Sequence, residues 1–315
     1  MEKTKKSLLQ STKVAYPLAV LCTFMWGLAI PMLQRGYTAM GIDSTGDTGA
    51  QLLYAGVRFI ISAVMVYIVL VFSQKKLVIP QKTSVLPYIS LGLVQTMAQY
   101  IFYYIGIGKT HGTNTALITS CISFFTVLLA PIFFKSDKLT LPKIGGSIIG
   151  FIGVIIVTGS FEFSVSGLVG DVLVLFSTLC AASGNILSKK IANGKNPMEI
   201  TSFQLLFGGF VLVIIGIILG GSLSFNSVES VVYLLILSSA SAIAFSLWST
   251  LLKYHPASKI SVFNLLVPIF GTVLSGFLLG ENIFKIETAI ALVLIVAGII
   301  LVNVTFNTNR NGQEE

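Results

Sequence analysis

The chain is 315 residues long, 54% hydrophobic and only 10% charged, with a formal net charge of +8 and a mean hydropathy of +0.90. That balance excludes a soluble globular domain and leaves an integral membrane protein. The lack of strand-period alternation argues against a barrel, and the lack of a basic face interleaved with aromatic residues argues against a nucleic-acid partner.

Charged clusters divide the chain into ten stretches long enough to span a bilayer, at roughly 15–35, 50–72, 87–108, 112–134, 142–160, 168–190, 198–220, 229–252, 258–280 and 285–306. The expected fold class is an all-α integral membrane protein with ten transmembrane helices. Lys3, Lys5, Lys6, Lys13, Lys75, Lys76, Lys82, Lys135, Lys138, Lys143, Lys189, Lys190, Lys195, Lys253, Lys259 and Arg310 fall on one side of such a topology, and Arg35, Lys109 and Lys285 on the other. The positive-inside rule places the crowded side and both termini in the cytoplasm of a plasma-membrane protein. The positive net charge therefore reports orientation rather than an acidic partner. Residues 1–14 and 307–315 read as cytoplasmic tails. The first span follows lysines, as a signal peptide would, yet no small-residue cleavage site follows it, so it is read as retained.

The first helix carries Trp26-Gly27 and Pro31, with Trp26 about 15 Å into the span, facing a cavity or the bundle core. A polar loop at 36–49 follows. Arg58 stands inside the second helix, where a cation costs at least ~2.5 kcal/mol unless paired or solvated. Two readings stand for it: an anchor for an anionic group such as a substrate carboxylate, or a structural role, as a partner for helix carbonyls or Asp171 or by simple snorkelling. In the third helix Gln95, Gln99 and Tyr103 recur at helical spacing as one polar and aromatic stripe, which points inward because amides facing lipid are costly. Its alternative is helix-to-helix hydrogen bonding. The fourth helix adds Asn114, Thr115, Thr119, Ser120 and Ser123, and the glycine-rich fifth reads as a close-packing face.

Gly170-Asp171 opens the sixth helix, which carries Asn185 where the first carries Trp26-Gly27. Gln204 in the seventh holds the place of Arg58. The eighth has the small run 238–242 and then Trp248; the ninth has Asn264 and Pro268; the tenth, nearly all aliphatic, reads as scaffold. Cys22, Cys121 and Cys180 are scattered one to a span without metal spacing, so they read as core residues, and no cofactor or metal is expected.

Residues 253–287 have a fainter copy at 109–143: Lys109 meets Lys253, His111 meets His255, Phe133 meets Phe277 and Asp137 meets Glu281. Each copy is fourth in a run of five apolar segments, so the chain reads as a five-helix unit made twice, at 15–160 and 168–306. Because five is odd, the second unit is inverted relative to the first.

With Trp26-Gly27, Arg58-Phe59, Gly170-Asp171, and Pro268 followed by Gly280-Glu281 in this order, the chain resembles the drug/metabolite transporter superfamily, EamA type. The resemblance covers essentially the whole chain. Two departures stand in the first unit: Phe124 where the second has Pro268, and Ser136-Asp137 where the family usually shows Gly-Glu. The resemblance implies two inverted five-helix repeats around a central cavity, and export of small metabolites, including amino acids and related compounds.

The expected function is a secondary transporter or facilitator of a small metabolite working by alternating access. Its expected partners are a small-molecule substrate and the lipid bilayer. Trp26, Arg58, Gln95, Gln99, Tyr103, Thr119, Asn185, Trp248 and Asn264 are the candidate substrate-lining residues. No Asp, Glu or His sits deep in a span, which favours facilitated diffusion or exchange over proton coupling. Gly108-Lys109-Thr110 lacks the first glycine of a P-loop, with Tyr103 in its place, so a primary pump is disfavoured. An intramembrane enzyme would need a nucleophile and base or a metal cluster, and two histidines at separate helix ends argue against it. A non-transporting scaffold would not need the polar stripe.

Overall fold

The structure, a computed structural model, describes residues 8–44, 46–110, 112–158, 164–165, 167–279 and 286–303. The expectations placed on Lys3, Lys5, Lys6, His111, Gly280, Glu281, Lys285, Arg310 and the C-terminal tail lie outside these residues.

Ten helices are long and apolar enough to cross a membrane: α1 (Thr12–Met40), α2 (Thr48–Gln74), α3 (Lys82–Ile107), α4 (Asn114–Phe133), α5 (Leu141–Thr158), α6 (Leu168–Ile191), α7 (Pro197–Ile218), α8 (Val228–Tyr254), α9 (Ala257–Leu278) and α10 (Ile286–Asn303). No strand occurs among the described residues. The helix ends follow local chemistry. The Asp47 carboxylate accepts from Ala50 N–H at 2.9 Å to start α2, and Asn196 accepts from Met198 N–H at 2.9 Å to start α7 just before Pro197. Gly41, at φ 69°, closes α1 five residues beyond the expected end of the first span.

Packing crosses between the halves. α2 packs on α7 and α5 on α10, while α1 packs on α8 and α9, and α6 on α3 and α4. Exchanging each helix of the first half with its counterpart in the second leaves this set of neighbours unchanged. Two seams are glycine-lined. A β-carbon at Gly56 would lie 2.7 Å from the Gly209 carbonyl oxygen, and one at Gly146 would lie 2.6 Å from the Gly298 carbonyl oxygen. Backbones meet there because no side chain separates them, so the glycines of α5 form the close-packing face expected from the sequence. The run 238–242 is also packed: Ser62 Oγ donates to the Ser238 carbonyl at 2.8 Å. Phe210, Ile217, Val293 and Ile300 face outward and are exposed, as a lipid-facing surface requires.

Two helices depart from α geometry midway. α3 widens to a π-helix over Gly92–Ala98, and α9 tightens to a 3-10 helix over Val262–Leu266. Pro268 explains the second departure. It cannot donate to the Asn264 carbonyl, which instead receives Val267 N–H. These departures place Gln95 in the widened turn and Asn264 in the tightened one.

Candidate functional site

Gln95, Asn185, Trp26 and Trp248 form one cluster. Asn185 Oδ1 accepts from Trp248 Nε1 at 3.0 Å and from Gln95 Nε2 at 3.4 Å, while Asn185 Nδ2 donates to Thr126 Oγ1 at 3.4 Å. Gly184 makes this possible: a β-carbon there would lie 2.6 Å from Gln95 Cβ. The Trp26 ring meets Trp248 edge-on at 4.9 Å and Phe245 at 5.8 Å. Both polar ends of the Asn185 amide are thus held by protein groups, as burial in a low-dielectric interior demands.

The second cluster surrounds Arg58 and is built differently. Arg58 is 4% exposed, and its guanidinium carbon lies 4.5 Å from the Phe59 ring centre and 5.9 Å from that of Tyr100. The tyrosines Tyr104, Tyr100, Tyr37 and Tyr54 surround its charge, and among the described residues no carboxylate forms an ion pair with it. Tyr103 and Tyr104 pack ring to ring at 5.5 Å, and Tyr37 and Tyr54 likewise at 5.5 Å. Arg58 Nε and the Tyr54 hydroxyl are buried there without a hydrogen-bond partner, as is Gln51 Oε1 two turns earlier on α2. Phe59 and Phe245, at 6.1 Å, join the two clusters.

The predicted stripe of α3 is therefore divided. Gln95 goes to the Asn185 cluster and Tyr103 to the Arg58 nest, because the π turn shifts the angular phase between them. Gln99 is half-buried between the two, and Asn264 is half-buried on α9. Thr119 turns its hydroxyl onto the Thr115 carbonyl of its own helix at 2.6 Å. Gln204 accepts from Thr96 Oγ1 at 2.9 Å and so ties α3 to α7. Asp171 is not the partner of Arg58. It accepts from Asn114 Nδ2 at 3.1 Å and from Thr110 Oγ1, joining the start of α6 to the α3–α4 connection.

Tyr37, Tyr54, Tyr100, Tyr104, Gln51 and Thr126 were absent from the sequence-based set. A signal for two of them was present: Gln51, Tyr54 and Arg58 stand at i, i+3 and i+7 on one face of α2.

The lysine-rich face is interlocked. Asp137, 1% exposed, pairs with Lys143 Nζ at 2.6 Å, accepts Ser258 N–H at 3.0 Å and also receives the Ser258 hydroxyl. Lys189 Nζ donates to the carbonyls of Leu252 and His255 at 2.9 and 2.5 Å, where the end of α8 favours a cation. His255 Nε2 bonds the Leu9 carbonyl at 2.8 Å, and Lys253 Nζ bonds that of Lys195 at 2.6 Å. A cavity of about 480 Å³ lined by Lys195, Pro197 and Lys253 lies on this face, away from both clusters.

The chain is 27% identical over 252 residues to an uncharacterized transporter, YyaM, of Bacillus subtilis (strain 168), covering 77% of this chain and 81% of the relative. It is 26% identical to a probable amino-acid metabolite efflux pump of Salmonella typhimurium, over 94% of this chain and 97% of that protein. A similarly named pump of Escherichia coli (strain K12) is 25% identical, over 90% and 92%. A solved crystal structure superposes with a TM-score of 0.78 at 17% identity, over 93% of this chain and 97% of its own, which speaks for the fold. The description EamA-like transporter family matches residues 13–159 and again 168–304. Two matches in tandem cover nearly the whole chain, and this protein belongs to the EamA-like transporter family.

Proposed function

We propose that the protein is a secondary transporter or facilitator that exports a small anionic metabolite across the cytoplasmic membrane. It works by alternating access between two inverted five-helix halves, with both termini in the cytoplasm. The observation that carries this reading is Arg58, a buried cation facing tyrosines, with Nε unpaired. An uncompensated charge among packed helices is costly, and a ligand that supplies the opposite charge offsets that cost. The names of the relatives, transporters and efflux pumps, support the same direction.

In this reading Arg58 holds the anionic group and Tyr103 lines its pocket. Gln95, Asn185, Trp26 and Trp248 wall the pathway below it, with Gln99, Thr119 and Asn264 along the route. The interlocked lysine-rich face is the closed inner gate, whose Asp137–Ser258 contacts part when the site turns inward. The test is efflux from proteoliposomes loaded with candidate organic acids. Arg58→Gln abolishes saturable flux while the purified variant keeps a sharp melting transition. Unchanged flux in that variant would remove Arg58 from the site and with it this reading.

A further inference from the structure

Where α2 ends and α3 and α7 begin, the structure holds a second cavity, of about 310 Å³, which shares no lining residue with the Arg58 nest. Gln74, the last residue of α2, Gln81, just ahead of α3, and Asn196, the cap of α7, all line it. Three spans terminate at this one level, so the cavity lies where a bilayer meets water, at the depth of phospholipid headgroups. Its rim is apolar and open. Leu77 and Ile79 line it yet are 74% and 83% exposed, and Phe72, near the end of α2, is 79% exposed. At the end of a span such side chains rest against lipid rather than water.

The walls carry two opposite charges that do not meet. Tyr88, fully buried and stacked on Phe203 at 6.0 Å, stands between them. Its hydroxyl donates to Glu199 Oε1 at 3.0 Å, while the Lys195 ammonium lies 5.2 Å from its ring centre and donates to Ser84 Oγ. Lys195 and Glu199 both line the cavity, but no ion pair joins them. One charge is thus held at the ring of Tyr88 and the other at its hydroxyl, and an ammonium and a carboxylate each have capacity for further hydrogen bonds. Lys76, exposed at the rim, adds a second cation.

A ligand that complements both walls carries an anion and a cation a short distance apart. We propose that the cavity binds the headgroup of a phosphoethanolamine lipid. The phosphate receives Lys195 and Lys76, the ammonium donates to the Glu199 carboxylate, and the acyl chains pass over Leu77 and Ile79 into the bilayer. A headgroup whose only charge is its phosphate would set that charge against Glu199. A choline headgroup has no N–H to donate, and the Tyr88 ring that would cradle its methyl groups already faces Lys195.

The experiment compares dioleoyl phospholipids that differ only in headgroup: ethanolamine, choline and glycerol. Each is titrated against delipidated full-length protein in mild detergent, with bound lipid counted by native mass spectrometry and stability followed by thermal shift. The ethanolamine lipid is expected to bind about tenfold or more tightly than the other two, since a hydrogen bond between charged groups is at stake, and to raise the melting midpoint most. Glu199→Gln keeps an acceptor for Tyr88 but loses the charge, and brings the ethanolamine lipid down to the level of the choline lipid. A choline or glycerol lipid that binds as tightly as the ethanolamine lipid overturns the proposal, and so does a panel in which none binds. A preference that survives Glu199→Gln places the lipid elsewhere and overturns it too. Free phosphoethanolamine at millimolar concentration is expected to displace the lipid poorly; binding as tight as the lipid's would assign the cavity to a soluble ligand instead. The wild-type ranking is decisive even where the variant fails to fold.

Discussion

The clusters around Asn185 and Arg58 share the same stretch of the bundle and are joined through Phe59 and Phe245, yet they are opposites in chemistry. Asn185 has every polar end occupied by a neighbour, including the Trp248 indole at 3.0 Å. Arg58, buried to the same 4% exposure, lacks a partner at Nε. A satisfied polar network holds helices in one arrangement, whereas an unsatisfied one is complete only with something added. In the proposed function the first cluster is then a joint that fixes the wall of the pathway, and the second is the receptacle that a ligand completes.

The most direct way to break this comparison is Arg58→Met. It is expected to eliminate saturable flux entirely while leaving the melting midpoint unchanged or higher, since a buried unpaired cation is removed. A lowered midpoint would make Arg58 a joint as well. Next in size is Asp137→Asn, which leaves Lys143 buried without its counter-charge. Loss of about 3–5 kcal/mol is expected, read as a lower midpoint in denaturant or heat, and an unaltered midpoint would show that the lysine-rich face is held by other contacts. Asn185→Leu strips the joint of its acceptor and leaves Trp248 Nε1 unbonded, at a cost of about 1–3 kcal/mol. Its flux is expected to fall only in proportion to folded protein; a selective loss of flux at full stability would move Asn185 into the receptacle. The smallest effect belongs to Thr126→Val, about 0.6 kcal/mol, the typical value of one interhelical hydrogen bond in a membrane protein. A null result there, combined with a clear effect of Asn185→Leu, would assign the strength of the joint to the tryptophan bond.

The ten helices were legible because apolar run length against bilayer thickness leaves few alternatives, and the glycine face of α5 was legible because close packing demands small residues. The site was legible only in part. Arg58 stands out in any reading of α2, since a cation in a span is expensive wherever it faces. The tyrosines around it do not, because Tyr37 and Tyr104 come from other helices whose rotation depends on packing. Asp171 illustrates the reverse difficulty: its charge suggested a partner for Arg58, but Thr110 and Asn114 lie closer in the folded chain and take it first. Asp137, read as part of a polar break between helices, is among the most deeply buried charges because Lys143 and the first turn of α9 enclose it.

The widened turn of α3 over Gly92–Ala98 makes chain length, as well as residue identity, part of the site. A π turn closes each hydrogen bond one residue later than an α turn, so it accommodates one residue more in the same rise. Deleting a single residue between Leu93 and Ala98 would therefore return the helix to ordinary α geometry and leave Tyr100, Tyr103 and Tyr104 close to their places beside Arg58, because the turn had already absorbed that residue. The regular α segment that begins at Gln99 has no such slack: a one-residue deletion there turns everything beyond it by about 100°, and the tyrosines leave Arg58 together. Among related chains, a one-residue gap is expected to be tolerated in the widened turn and to be costly just beyond it.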